Sequence, residues 1–282
     1  MGLRIQNNIE AFNTHRQLSA TSAQASKSME KLSSGYRINR AADDAAGLGI
    51  SEKMRGQIGG LAQAQRNAQD GISLVQTAEG ALSEVHSMLQ RVRDLKVQFN
   101  NGTLDAADKD SISAEVLEIA KEVKSVMDDT EFNGQTVFGS SSFTFQVGAN
   151  DNETISVAPT GFSGTIAAGG LSGLTNITDA AGASQALDAG GNLANLSTLD
   201  DAIKNVSKIR ADFGAVQNRL EHRLNNLATY QENLTASESR IRDVDMAAEM
   251  TKFTKLNILQ QAGTSMLAQA NQAPQGVLSL LR

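Results

Sequence analysis

The residues best able to do chemistry in this chain are His15, His86 and His222 and the adjacent pair Asp43-Asp44. A zinc site needs histidines or cysteines at ligand spacing. None of the three histidines opens an HExxH or similar pattern, and there is no cysteine to complete a ligand set. Acid–base work by two carboxylates needs them to face each other across a substrate. Neighbours on a helix project about 100° apart, so Asp43-Asp44 suits a helix cap or an ion pair better. The absence of cysteine also removes any thiol nucleophile. No GxxxxGK[ST], strand-borne GxGxxG or GxSxG occurs, and Gly59-Gly60 lies inside a helical repeat. The sequence therefore predicts no enzyme: no catalytic residue, no cofactor and no metal ligand.

The elements around those residues are long helices. From Leu199 to Val244, stepping by three and four gives Leu199, Ala202, Val206, Ile209, Phe213, Val216, Leu220, Arg223, Leu227, Tyr230, Leu234, Ser237, Ile241 and Val244, with only Arg223 and Ser237 not apolar. That is a heptad seam, and a helix of this kind needs an equally long partner. The partner begins near residue 44 and runs to about 100 through Ile58, Leu61, Val75, Leu82, Val85, Leu89 and Val92. A third helix spans about 105–128 with Ile112, Val116, Ile119, Val123 and Val126 on one stripe. Both Ser197-Thr198-Leu199-Asp200 and the overlapping Thr198-Leu199-Asp200-Asp201 fit a capping box, which sets the start of the 197–244 helix. After Asn133-Gly134 the period changes to two. FTFQV (143–147) and TISVA (154–158) read as a hairpin, so β-hairpins occupy about 132–158 and 159–196 is a variable spacer with at most a short helix near 182–194. The predicted fold is mainly α with a small β-hairpin part, an elongated antiparallel helical rod to which both termini contribute.

Both ends have thinner stripes. Residues 3–34 carry Leu3, Ile5, Ile9, Phe12, Leu18, Met29 and Leu32, and a last helix opens at Asp245, with Glu249 in its first turn and Pro274 as its expected end or kink. Stripes this thin cannot stand alone. Antiparallel long helices bring the two ends together, and the pair reads as a shared assembly module. The N-terminal stretch has no apolar h-region or small-residue cleavage site and no run of about 18 apolar residues occurs, so neither a cleaved signal peptide nor membrane insertion is expected. The net charge of −6 is unevenly spread. Between Ser125 and Ile203 there is no Lys or Arg, while Asp128, Asp129, Glu131, Asp151, Glu153, Asp179, Asp188, Asp200 and Asp201 are all acidic, which argues against a nucleic-acid surface. Between Leu256 and Leu281 there is no charge at all.

Several segments resemble signatures of one family, the bacterial flagellins: MGLRIQNNIEAFNTHRQLSAT, LSSGYRINRAADDAAGLGISEKMRGQI, AQRNAQDGISLVQTAEGALSEVHSMLQRVRDL and RIRDVDMAAEMTKFTKLNILQQAGTSMLAQANQAPQGVLSLLR. They cover about 130 residues at the start of the chain and 90 at its end. The resemblance implies an inner D0-like coiled coil from 1–43 with 245–282 and an outer D1-like rod from 44–244, without the extra outer domains of longer flagellins. It implies a subunit that polymerises with itself into the helical filament used for swimming. It further implies passage through the flagellar type III apparatus without cleavage to an extracellular location, with an export chaperone and the hook–filament junction and cap proteins as partners.

The resemblance also assigns individual residues. In the family the C-terminal helix lines the filament channel, which gives Asn257, Gln260, Gln261, Gln269, Gln272, Leu278 and Leu281 an assembly and channel-lining role. The stretch LQRVRDLKVQ resembles the segment by which flagellins contact a vertebrate Toll-like receptor, with Arg91, Leu95 and Glu115 at matching positions. From the residues alone, Arg91 and Glu115 also suit a plain ion pair between packed helices. A reading from another class, a cytoplasmic coiled-coil scaffold, would carry heptads to both ends and no charge-free terminal helix.

Overall fold

The computed structural model describes residues 8–139, 142–157, 185, 187 and 195–280, with 273–280 as backbone alone. Besides the helical Gln185 and Leu187, these residues form α1 (Ile9–Ser34), α2 (Ala45–Phe99), α3 (Ala106–Asp129), β1 (Glu131–Phe132), β2 (Gln135–Thr136), β3 (Phe143–Gln146), β4 (Thr154–Val157), α4 (Leu196–Arg242) and α5 (Met246–Leu280). The chain divides into a central unit, Ile58–Gln231, and a terminal unit, Met1–Gln57 with Glu232–Arg282.

In the central unit α2 and α4 run antiparallel. Gln65 Nε2 donates to Gln231 Oε1 at 2.8 Å, Glu79 lies 3.7 Å from Arg210, and Arg93 Nε reaches Asp200 Oδ1 at 2.7 Å, so the partner numbers fall as α2 advances. Between the helices the heptad positions Val75, Leu82, Val85, Leu89 and Val92 of α2 meet Val116 and Val123 of α3 and Leu199, Val206 and Phe213 of α4 in one core. Each such side chain contributes about 1.5–3 kcal/mol when removed from water, and the continuous seam makes that contribution along the whole unit. Leu220 belongs to a second cluster with Ala68, Val147 and Ile155. There the helices approach so closely that a Cβ on Gly71 would sit 3.3 Å from both Leu220 Cδ1 and the Phe145 ring.

The β3–β4 hairpin folds as its period predicts. β3 and β4 pair antiparallel from Phe143 opposite Val157 to Gln146 opposite Thr154, with Ile155 and Val157 turned to the core. β1 and β2 are joined at Asn133 and Gly134, whose φ values of 54° and 73° are both positive, as a two-residue type I′ turn demands. One of the two polar residues in the α4 seam, Arg223, is explained by the hairpin. Arg223 Nε donates to the Val147 carbonyl at 3.0 Å, and its Nη2 is 3.4 Å from Glu153, so the seam yields to a guanidinium where the hairpin covers the helix.

Two local expectations differ. Helix α4 starts at Leu196, so Ser197 and Thr198 fall within its first turn, where the Thr198 hydroxyl donates to the Asn195 carbonyl at 2.7 Å instead of marking the boundary. Helix α5 does not end at Pro274 but continues to Leu280. Proline removes one donor, the N–H that would serve the Ala270 carbonyl, and that carbonyl accepts from Asn8 Nδ2 at 2.7 Å instead. Of the expected spacer, only Gln185, Leu187, Asn195 and Leu196 lie within the described residues.

In the terminal unit α1 and α5 are antiparallel partners. Asn8 caps α1, and Gly35 ends it at φ 75°, a left-handed value that glycine adopts without strain. The segment after Gly35 is fastened to the end of α4: Arg37 N–H donates to the Arg242 carbonyl at 2.7 Å and Val244 N–H to the Gly35 carbonyl at 3.0 Å. Arg242 stacks 4.9 Å from the Tyr36 ring centre and holds Glu52 at 2.7 Å. Asp44 accepts from Gly47 N–H at 2.8 Å at the start of α2. Asp245 accepts from Ala247 and Ala248 N–H at 2.9 and 3.1 Å at the start of α5.

Candidate assembly surface

Among the described residues, few groups of the α1–α5 pair are buried, whereas Ile38 after α1 and Ser51 on α2 are. Ala25, Leu256 and Ala270 are buried between α1 and α5, with Ser28 and Glu249 as a buried polar pair whose hydroxyl donates to the carboxylate. Burial disfavours the charged Glu249, but the Ser28 hydroxyl and the Lys252 and Lys31 ammonium groups outweigh it and hold the carboxyl below its ordinary range. At Asp43, N–H groups of Arg40 and Asn39 hold the carboxyl down; this is a turn-capping aspartate and no acid–base pair with Asp44.

Around that thin seam lie large apolar side chains in water. Phe12 is 71% exposed and Ile258 62%, and Ile9, Met29, Met246, Met250, Leu259 and Met266 are also exposed. Among the described residues of the central unit the exposed large apolar ones are Val97 and Tyr230. Scattered exposed apolar residues are ordinary, but a concentration on one pair of helices marks a surface that another molecule covers.

The predicted residues fall in different settings. On α5, Asn257 and Gln260 are half-buried, while Gln261, Gln269 and Gln272 are exposed; Leu278 and Leu281 lie outside the described side chains. Helical geometry puts Gln261 about 140° around the axis from buried Leu256 and Gln272 about 160° from buried Ala270, so these amides lie away from α1. On α2 and α3, Arg91 Nε and Nη2 both reach Glu115 Oε1, at 2.8 and 2.6 Å. Leu95 is only 1% exposed and part of the core. A side chain buried to that extent presents no contact surface of its own.

Sequence reasoning missed Lys96. It is 3% exposed, a lysine on a core face, and its ammonium donates to the Leu187 carbonyl and lies 5.3 Å from the Phe99 ring centre. The missing signal was Leu187 itself, a buried residue within the stretch read as spacer. Among the described residues, His15 and His222 are exposed and no group of three or more acidic or histidine side chains is placed to hold a metal. No described helix is long and apolar enough to cross a membrane.

A family profile described as the bacterial flagellin N-terminal helical region matches residues 5–142, and one described as the C-terminal helical region matches 196–281. The chain is similar to a flagellin of Bacillus subtilis, 51% identical over 305 residues and covering 99% of this chain and 100% of that one. It is similar at 51% over 280 residues to a flagellin of Halalkalibacterium halodurans, covering 99% of each. A crystal structure of Bacillus cereus flagellin is 32% identical and covers 57% of this chain and 88% of that chain, at a TM-score of 0.46.

Proposed function

The chain belongs to the bacterial flagellins, self-assembling structural subunits of the extracellular flagellar filament and not enzymes, and from that premise we propose how its parts divide the work. Residues 1–43 with 245–282 are the inner layer of the polymer and 44–244 the outer layer. The observation that carries this is the exposure of Phe12, Ile258 and Met266 on α1 and α5 while the heptad positions Leu82, Leu89, Val116, Val123, Val206 and Leu220 of α2, α3 and α4 are buried within one chain. The termini need neighbouring copies to cover them; the central unit does not.

The uncharged length from Leu256 to Leu281 supports a channel wall made by Asn257, Gln260, Gln261, Gln269, Gln272, Leu278 and Leu281. Neutral amides offer an unfolded, charged passenger no ion pair that would hold it in transit. Export without cleavage, a chaperone that covers the α5 segment before assembly, and junction and cap proteins at the filament ends belong to the same reading. A second reading has its own observation. The Arg91–Glu115 pair is surface-exposed at 56% and 43% of its side chains, a charged feature that a Toll-like receptor could engage by matched hydrogen bonds.

Limited proteolysis of monomer and filament tests the division. In monomer, cleavage is expected near residues 40 and 245, leaving a folded fragment that does not polymerise, with the same bonds protected in filaments. A trimmed fragment that still forms filaments overturns the assignment.

A further inference from the structure

We propose that Asn8 is a positioning residue for filament assembly: its single amide closes two open valences on different helices and so fixes the register of α5 against α1. One end is the α1 start, where Oδ1 accepts from Ala11 N–H at 3.1 Å. The other end is remote in sequence, where Nδ2 donates to the Ala270 carbonyl at 2.7 Å. In an α-helix that carbonyl would be served by the N–H of residue 274, and residue 274 is proline. Ala270 is one of the few buried positions of α5, so water is poorly placed to serve the carbonyl in its stead.

Capping alone does not explain asparagine here. Aspartate and serine cap a helix start about as well, but aspartate has no donor for the Ala270 carbonyl and serine lacks the reach. The amide orientation is likewise fixed from both sides, since the Ala11 N–H requires the oxygen and the carbonyl requires the nitrogen. The clamp also agrees with the rest of the pair. A Cβ on Gly263 would lie 3.2 Å from Leu18 Cδ1, and Ser28 meets Glu249. From Asn8 to Ser28 and from Ala270 back to Glu249 the helices advance by nearly equal lengths, about 30 Å, so the clamp closes without slip or stretch. Pro274 makes the bond specific: a carbonyl with a helical donor would have no need of Asn8, and only one register brings the orphaned one within reach.

The test is a double-mutant cycle on the critical concentration for seeded polymerisation of the full chain, using Asn8→Asp, Pro274→Ala and both together. Asn8→Asp keeps the cap and adds a charge that the α1 N-terminus favours, yet it is expected to raise the critical concentration about three- to tenfold, the worth of one hydrogen bond. Pro274→Ala returns the helical donor, and in that background Asn8→Asp is expected to cost less than twofold. Asn8→Ser, which also caps without the donor, should follow Asn8→Asp. If a variant does not polymerise alone, its rate of loss from filaments mixed with wild-type subunits gives the same ratio. An equal penalty in both backgrounds, or no penalty from Asn8→Asp, overturns the proposal.

Discussion

The two units spend the apolar residues of their helices in opposite ways. In the central unit α2 and α4 spend their apolar residues on each other, and Leu82, Leu89, Val206 and Leu220 are lost to solvent within one chain. In the terminal unit α1 and α5 bury Ala25, Leu256 and Ala270 but leave Phe12, Met250, Ile258 and Met266 in water. The central seam is wide enough to close a core of its own. The terminal stripe is bare on its flanks, and under the proposed division its stability depends on how many copies surround it, which links folding there to concentration by mass action.

That contrast is broken most directly by one truncation in each unit. Leu89→Ala removes a fully buried side chain from the seam and is expected to cost about 2–5 kcal/mol, lowering the monomer melting temperature by roughly 5–15 °C in a unit of this size. Met266→Ala removes an exposed one and should leave the monomer melt unchanged while lowering the melting temperature of filaments. Circular dichroism melts of both forms decide it. If Met266→Ala destabilises monomer as Leu89→Ala does, the terminal unit is a self-sufficient core and the distinction fails.

How much of this was legible in the residues follows the same divide. Heptads set α2, α3 and α4 to within a residue or two of their bounds, because a long seam averages out local exceptions, and alternation set the β3–β4 pairing. The exceptions were tertiary. Arg223 sits in the seam because a hairpin carbonyl arrives there. Lys96 is buried because the Leu187 carbonyl meets it. Pro274 does not stop α5 because a side chain 266 positions earlier in sequence serves the carbonyl it orphans. No periodicity reports such long-range partners. The candidate surface was legible as a thin stripe with an uncharged end, whereas the burial of Leu95 in the core was not, since its spacing alone also suits an exposed contact.

A smaller effect probes the polar link of the terminal pair. The carboxyl of Glu249 is held below the ordinary glutamate value of 4.5 by Ser28 and two lysines against the opposing effect of burial. A group depressed on folding stabilises the folded pair above its unfolded pKa and loses that contribution as pH falls through its folded value. Glu249→Gln keeps an acceptor for Ser28 but not the charge. Filaments of this variant should therefore melt lower than wild type at pH 7, and the gap should hold down to about pH 4.5 and narrow below it. A gap that is constant or widens in acid shows that the charge of Glu249 does not tie α5 to α1.

The least stability effect is expected at Arg91 and Glu115, and there the two readings of one ion pair separate. Both side chains are about half exposed, and exposed pairs are worth about 0–1 kcal/mol; even with two hydrogen bonds to one oxygen, Arg91→Ala or Glu115→Ala should shift the monomer melt by no more than a few degrees. If the pair serves only to join α2 to α3, exchanging the charges with Arg91→Glu and Glu115→Arg together should restore whatever stability the single changes lose, and nothing else should differ. If it is also a receptor contact, the exchange restores the melt but presents each charge where the partner expects its opposite, so signalling in reporter cells should stay lost, because like charges facing across an interface cost more than the pair itself contributes. Leu95→Ala serves as the control: a buried side chain should lower the melt and affect signalling only in proportion. Full signalling by the folded charge-exchanged protein would leave Arg91 and Glu115 as a structural pair and nothing more.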